Sequence, residues 1–163
     1  MSLNSLQDLF TEQLQDLYSA EQQFAAAQTK MLGGVSDGDL KAGVEQHAQE
    51  TQAQIGRLEE LAQTLNLGSL SGKTCQAAKG LVAEGQELLD EDGDPAVKDA
   101  GIIASLQRVE HYEIAGYGTA LAYAKRLGHQ EAVAVLGQTL EEEKATDAKL
   151  SKLAETSINA QAA

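Results

Sequence analysis

Apolar residues recur along this chain at alternating spacings of three and four, the period of one helix face. The first run is Leu3, Leu6, Phe10, Leu14, Leu17, Glu21, Phe24, Gln28 and Met31, which predicts a helix over residues 4–32. Gly33, Gly34, Val35, Ser36, Asp37 and Gly38 stop it, with Ser36 or Asp37 placed to cap the next helix. A second helix is predicted over 39–65, from Leu40, Val44, His47, Glu50 or Thr51, Gln54 or Ile55, Leu58, Leu61 and Leu65. The short connection makes these two an antiparallel hairpin.

Residues 68–94 read differently. They hold a shorter helical piece, 73–89, with Ala77, Leu81 and Leu88 on one side, then a turn in which Asp94 caps and Pro95 takes the first helical position. A third long helix is predicted over 95–127, with the stripe Ile103, Leu106, Glu110, Glu113, Tyr117, Leu121 and Ala124, closed by Gly128. A fourth covers 130–156, with Val133, Leu136, Leu140, Glu143, Asp147, Leu150 and Ala154. Residues 159–163 are expected to be disordered, so that one domain spans 1–158. Hairpin, crossover, hairpin is the ferritin-like topology: an all-α antiparallel four-helix bundle with one long crossover containing a shorter helix.

Each long helix places an acid where its apolar stripe should continue. These are Glu21, then Glu50 with His47 one turn before it, then the pairs Glu110 and Glu113, and Glu143 and Asp147. Residues three or four apart share a helix face. Helices of this length span roughly 40 to 45 Å, and the acids sit near mid-helix, so antiparallel packing brings them to one level. A buried carboxylate costs several kcal/mol, roughly, unless it is paired or binds a metal. Converging carboxylates repel one another, and a buried pair of metal ions resolves both problems. In the expected centre Glu50 and Glu143 bridge two ions. Glu21 and Glu110 are terminal ligands, and His47, Glu113 and Asp147 complete the shell.

The usual dinuclear bundle site takes a Glu from each of two helices and Glu-x-x-His from the other two. This chain departs from it: the second helix reads His47-x-x-Glu50 and the fourth reads Glu143-x-x-x-Asp147. An oxygen-rich set is hard, which favours Fe, then Mn, and leaves Zn or Mg open. His111 is offset by about 100° from Glu110 and suits a contact with a neighbouring group or subunit. Glu142 replaces Glu143 if the register shifts by one. His129 is expected in a solvated turn. Tyr18 and Tyr117 lie within a turn of proposed ligands and can hydrogen-bond to them. Cys75 reads as an inert thiol on the crossover.

Composition narrows the functional classes. Aromatic residues make up 4%, with no Trp and one Pro, which fits a bundle better than a β-sandwich. Lys and Arg number 12 against 25 acids, a net charge of −13, which argues against direct nucleic-acid binding. The single Cys excludes an internal disulfide and a Cys-rich zinc site. No apolar run approaches the roughly 18 residues of a membrane span. The first ten residues lack a basic region and an apolar signal core. The expected location is the cytoplasm.

Four segments resemble the YciF/YciE-type bacterial stress proteins of the ferritin-like, rubrerythrin-like superfamily. They are DLYSAEQ from Asp16, HAQETQAQIGRL from His47, QRVEHYEIAGYG from Gln107 and LEEEKATDAKL from Leu140. The resemblance runs from about Leu6 to Ala154. It implies a homodimeric bundle with a crossover helix, a rubrerythrin-like metal site and induction under stress. Glu110 and Glu113 resemble the extra-Glu arrangement of such sites. Three functions follow from these readings: a dinuclear oxidoreductase acting on peroxide or Fe(II), a metal-sequestering stress protein without turnover, and a structural or interaction module whose acids form a hydrogen-bonded network.

Overall fold

The computed structural model describes residues 3–163. Its helices begin and end where side chains can satisfy exposed backbone groups. Helix α1, Leu6–Leu32, is capped by Ser5, whose hydroxyl accepts from the Asp8 N–H at 3.1 Å. Helix α2, Gly38–Thr64, is capped by Asp37, which accepts from the N–H groups of Asp39 and Leu40. Helix α3, Gln76–Asp90, starts at Cys75, whose thiol accepts from the Ala78 N–H at 3.4 Å. Helix α4, Pro95–Leu127, has the expected Asp94 cap and ends at Gly128 in the left-handed conformation, φ 79°. Helix α5, Gln130–Leu153, passes into a π-helical turn, Ala154–Ile158, and the short α6, Asn159–Gln161.

Over residues 159–163, where the sequence predicts disorder, the backbone is helical through Gln161. The amide of Ala162 still donates to the Ile158 carbonyl at 3.0 Å. The π-helical turn alters the register of the helix, and Ile158 is buried in the core.

Helix α1 packs on α2 and α4, and α5 packs on the same two, which closes a ring of four long helices. Helix α3 lies against α1 and α4 on the outside. It is held by Cys75, whose thiol is 2.9 Å from the Tyr112 hydroxyl, while that hydroxyl donates to Asp16. Two close approaches use missing Cβ atoms. A Cβ on Gly116 would lie 2.7 Å from Leu17, and one on Gly101 would lie 2.8 Å from Leu88. Among the described residues, no helix is long and apolar enough to cross a membrane.

The main core is interrupted. One apolar cluster fills one end of the bundle, around Phe10, Leu14, Leu58, Tyr117 and Leu136. A second fills the other end, around Met31, Leu40, Val44, Ile102 and Leu150. On each of the four long helices, the segment between the two clusters contributes buried polar groups: Glu21 and Gln28, His47, Thr51 and Gln54, Glu110 and Glu113, and Glu143. A polar layer thus divides the bundle at mid-height.

The loop joining α1 to α2 is tied to α4 by one buried acid. Asp99 is 1% exposed and accepts from the Ser36 N–H, the Ser36 hydroxyl and the Asp37 N–H. Such bonds together tie the loop to α4, and their loss releases its half-exposed donors to water. Asp99→Ala is expected to lower unfolding free energy by about 2–3 kcal/mol, read as a lower urea midpoint with an unchanged slope. An unchanged midpoint would mean that the loop is held by other contacts.

Candidate metal centre

The polar layer is built by helix periodicity. Glu110 and Glu113 are one turn apart on α4 and both point inward, with 0% and 1% of their surfaces exposed. Glu143 on α5 and Glu21 on α1 are also 0% exposed, and His47 on α2 is 3% exposed. His47, Glu110, Glu113 and Glu143 each offer a ligand atom, and all four atoms lie within 4.8 Å of one another. His47 Nε2 is 3.0 Å from a Glu110 oxygen and 3.9 Å from a Glu143 oxygen. Glu21 adjoins this group through its interactions with Glu113 and Glu143.

The hydrogen bonds leave much of this layer unsatisfied. Tyr117 donates its hydroxyl to Glu21, and Gln54 donates to Glu143. Both oxygens of Glu110, both of Glu113, and one each of Glu21 and Glu143 accept no well-aligned hydrogen bond. Their nearest polar neighbours are one another and His47 Nε2, which approaches Glu110 at 3.0 Å without aligning. Buried polar atoms in native proteins rarely stay unpaired. Burial pushes the Glu21 and Glu110 carboxyls up to about 8 and Glu143 up to about 9, and it raises Glu113 well above the ordinary range. Mutual repulsion among the acids adds to that rise. Burial and the neighbouring Glu21 likewise raise the Tyr117 phenol. Without cations, these carboxyls are driven towards the protonated state. Orphaned, convergent oxygen atoms and one imidazole fit a hard or borderline metal ion.

Two of the seven residues expected around metal lie at the edge. Glu50 has a side chain 31% exposed and accepts from Gln46 at 2.8 Å, with its other oxygen 3.7 Å from His47 Nδ1. Thr51 occupies the inward position, where its hydroxyl accepts from Gln28 at 3.1 Å. Asp147 is partly exposed and accepts from Gln107 at 2.9 Å, with His111 3.3 Å away. Glu50, expected to bridge two ions together with Glu143, thus lies at the edge of the layer, because α2 is rotated so that Thr51 faces inward.

The remaining candidates separate clearly. Tyr117 meets a centre residue, whereas Tyr18 donates to Glu59 at 2.7 Å at the surface. His111 is exposed, with 68% of its side chain open. His129 is not simply solvated: it lies 2.7 Å from the Gln7 side-chain oxygen and packs against Phe10. Glu142 turns away from the centre to pair with Arg57, and Glu143 is the inward residue. Burial opposes ionisation of Glu142, but bonds from Gln138, Arg57 and Gln54 hold its carboxyl below the ordinary range. The sequence reading assigned no role to Gln54 or Arg57. Gln54 donates to Glu142 at 3.2 Å as well as to Glu143, and Arg57 donates to Thr139 at 3.1 Å. A fully buried amide in an apolar stripe was the available signal for Gln54. Arg57 carries no such signal, because its partners are on another helix.

Known proteins share this architecture. The curated protein YciF of Escherichia coli (strain K12) is 38% identical over 162 residues, covering 99% of this chain and 98% of that one. The crystal structure of the E. coli stress protein YciF matches with a TM-score of 0.92 at 38% identity, covering 96% of this chain and 98% of the other. YcfI of Rhodopseudomonas palustris matches with a TM-score of 0.87 at 43% identity, covering 92% of this chain and 95% of its own. A protein of Xanthomonas campestris pv. campestris, XCC3681, matches with a TM-score of 0.76 at 25% identity, covering 96% and 95%. Residues 5–163 match the family described as Domain of unknown function (DUF892), and with near full-length identity to YciF the chain belongs to that family.

Proposed function

We propose that the polar layer is a carboxylate-rich metal centre in a stress-response protein of the YciF type, and that it holds two divalent ions, Fe or Mn. The observation that carries this reading is the set of buried carboxylate oxygens without partners on Glu110, Glu113, Glu21 and Glu143. Four carboxylates carry four negative charges once ionised, and two divalent ions balance them. His47, Glu110, Glu113 and Glu143 would hold one ion, and Glu21 extends the oxygen set towards a second. Bound Fe or Mn would supply one-electron redox chemistry suited to peroxide or Fe(II). The chain's own part is to exclude water, to hold Glu21 through Tyr117 and to fix Glu143 through Gln54. The stress role is that of the E. coli relative, carried to this chain by similarity. The homodimer and the cytoplasmic location are parts of the same proposal, and a dimer mass in light scattering is the expected result.

A second reading has its own support. The R. palustris relative is described as a structural protein, and protonated carboxyls could form a neutral network that fixes helix register. Metal content separates the two. Untagged protein purified without chelator is expected to carry about two Fe or Mn per chain, the number that balances four carboxylates, and to lose them in Glu110→Ala and Glu143→Ala. Absence of stoichiometric metal after anaerobic reconstitution would favour the structural module.

Stability against pH provides a separate check. In the metal-free fold, Glu21, Glu110 and Glu143 keep their protons up to about 8 or 9, while the unfolded chain ionises near 4.5. Their contribution is fully present below pH 4.5 and is lost as the pH rises through the folded values. The urea midpoint of metal-free protein is therefore expected to fall between about pH 5 and 9, and to fall much less with saturating Mn(II). An equal fall with and without Mn(II) would contradict a metal at these carboxyls.

A further inference from the structure

We propose that the pocket between α2 and α5 is the route by which a divalent cation reaches the buried centre, with Glu50 as the outer relay. This rests on the metal reading above. Every centre residue is at most 3% exposed, so an ion has to pass between helices. At the level of the centre, several seams are closed by side-chain bonds. Gln28 donates to Thr51 between α1 and α2, and Tyr117 donates to Glu21 between α4 and α1. Gln107 bonds Asp147 and Ser151 between α4 and α5. Between α2 and α5, Gln54 and Arg57 bond Glu142, Glu143 and Thr139.

Past that last network, towards the start of α2, the same seam opens. A cavity of about 160 Å³ lies there, lined by Leu40, Gly43, Gln46, His47, Glu50 and Thr146 among others. At about 30 Å³ per water, it has room for a partly hydrated ion. Its inner wall is His47, whose ring spans the boundary. Nδ1 faces Glu50 at 3.7 Å and Thr146 at 3.4 Å, while Nε2 faces Glu110 at 3.0 Å. A cation held by Glu50 is thus one imidazole away from the centre. The mouth is crossed by an exposed chain of bonds: Lys149 donates to Gln46 at 2.7 Å, and Gln46 donates to Glu50 at 2.8 Å. These bonds hold the Glu50 carboxylate at the pocket, where the rotation of α2 places it, and can break at little cost because all three groups reach solvent.

Gly43 gives a way to plug the route. A Cβ placed there meets nothing within 4 Å, and replacing a glycine inside a helix favours the fold. Full-length protein freed of metal is mixed anaerobically with Co(II), whose visible absorption reports ligation. Gly43→Leu and Glu50→Gln are expected to reach the wild-type Co(II) content but to load at least tenfold more slowly. Gly80→Leu, on the outer helix α3 and equally open, is expected to load at the wild-type rate. Wild-type loading rates in Gly43→Leu and Glu50→Gln would overturn the route while leaving the metal centre intact. A lower final content in Glu50→Gln would overturn the relay, making Glu50 a resident ligand. If wild-type protein bound no Co(II), the metal reading would fail and the route with it.

Discussion

Four carboxylates and an imidazole are held out of water at the middle of a helical bundle, and the rest of the structure is arranged around that cost. Between the four long helices the apolar core gives way at this level to leave one cluster at each end, while a third cluster packs α3 on the outside of α1 and α4. Each cluster brings together the same four helices, and the interval between them sets the height at which the acids meet. Removing a charge from water is so unfavourable that the layer must be neutralised by protons or cations. In the proposed metal-bound state the carboxyls would exchange protons for cations, which would put metal and pH on one equilibrium.

The polar layer is also supported unevenly. On the α1 and α4 side, Tyr117 and Glu21 meet with both side chains fully buried. On the α2 and α5 side, Gln54 connects the buried Glu143 to the half-exposed pair of Arg57 and Glu142. That connection brings a surface ion pair within one amide of the centre. The same seam contains the pocket at Glu50 and His47, so the centre is anchored on one side and approachable from the other.

The bundle, its crossover and most of the layer could be read from the sequence, for a simple physical reason. A charged residue inside a three-and-four stripe has to be buried if the helix packs at all, and Glu21, Glu110, Glu113 and Glu143 obey this. The inward residue on α2 was ambiguous, because Glu50 and Thr51 both continue the stripe from His47. Choosing between them requires knowing the rotation of α2, and the bond from Gln28 to Thr51 marks it. Asp147 follows Glu143 by four residues, yet Gln107 on α4 satisfies it at the edge of the layer. The alanines and polar residues at the end of the chain give no periodic signal. A π-helical turn is a backbone event that the side-chain pattern does not announce, and Ile158 lies buried at its end. Cys75 is a buried thiol on the crossover, in keeping with the inert role the sequence suggests, and its place at the start of α3 also lets its sulfur cap that helix, which depends on the exact boundary.

The central claim is that the unpaired oxygens of this layer are metal ligands. Anomalous diffraction from crystals grown with Mn(II), collected on both sides of the manganese edge, tests it most directly. An edge-dependent peak is expected within coordination distance of His47, Glu110, Glu113 and Glu143, with a second beside Glu21. A well-ordered layer with no anomalous peak, its carboxyls bonded to each other or to water, would contradict it.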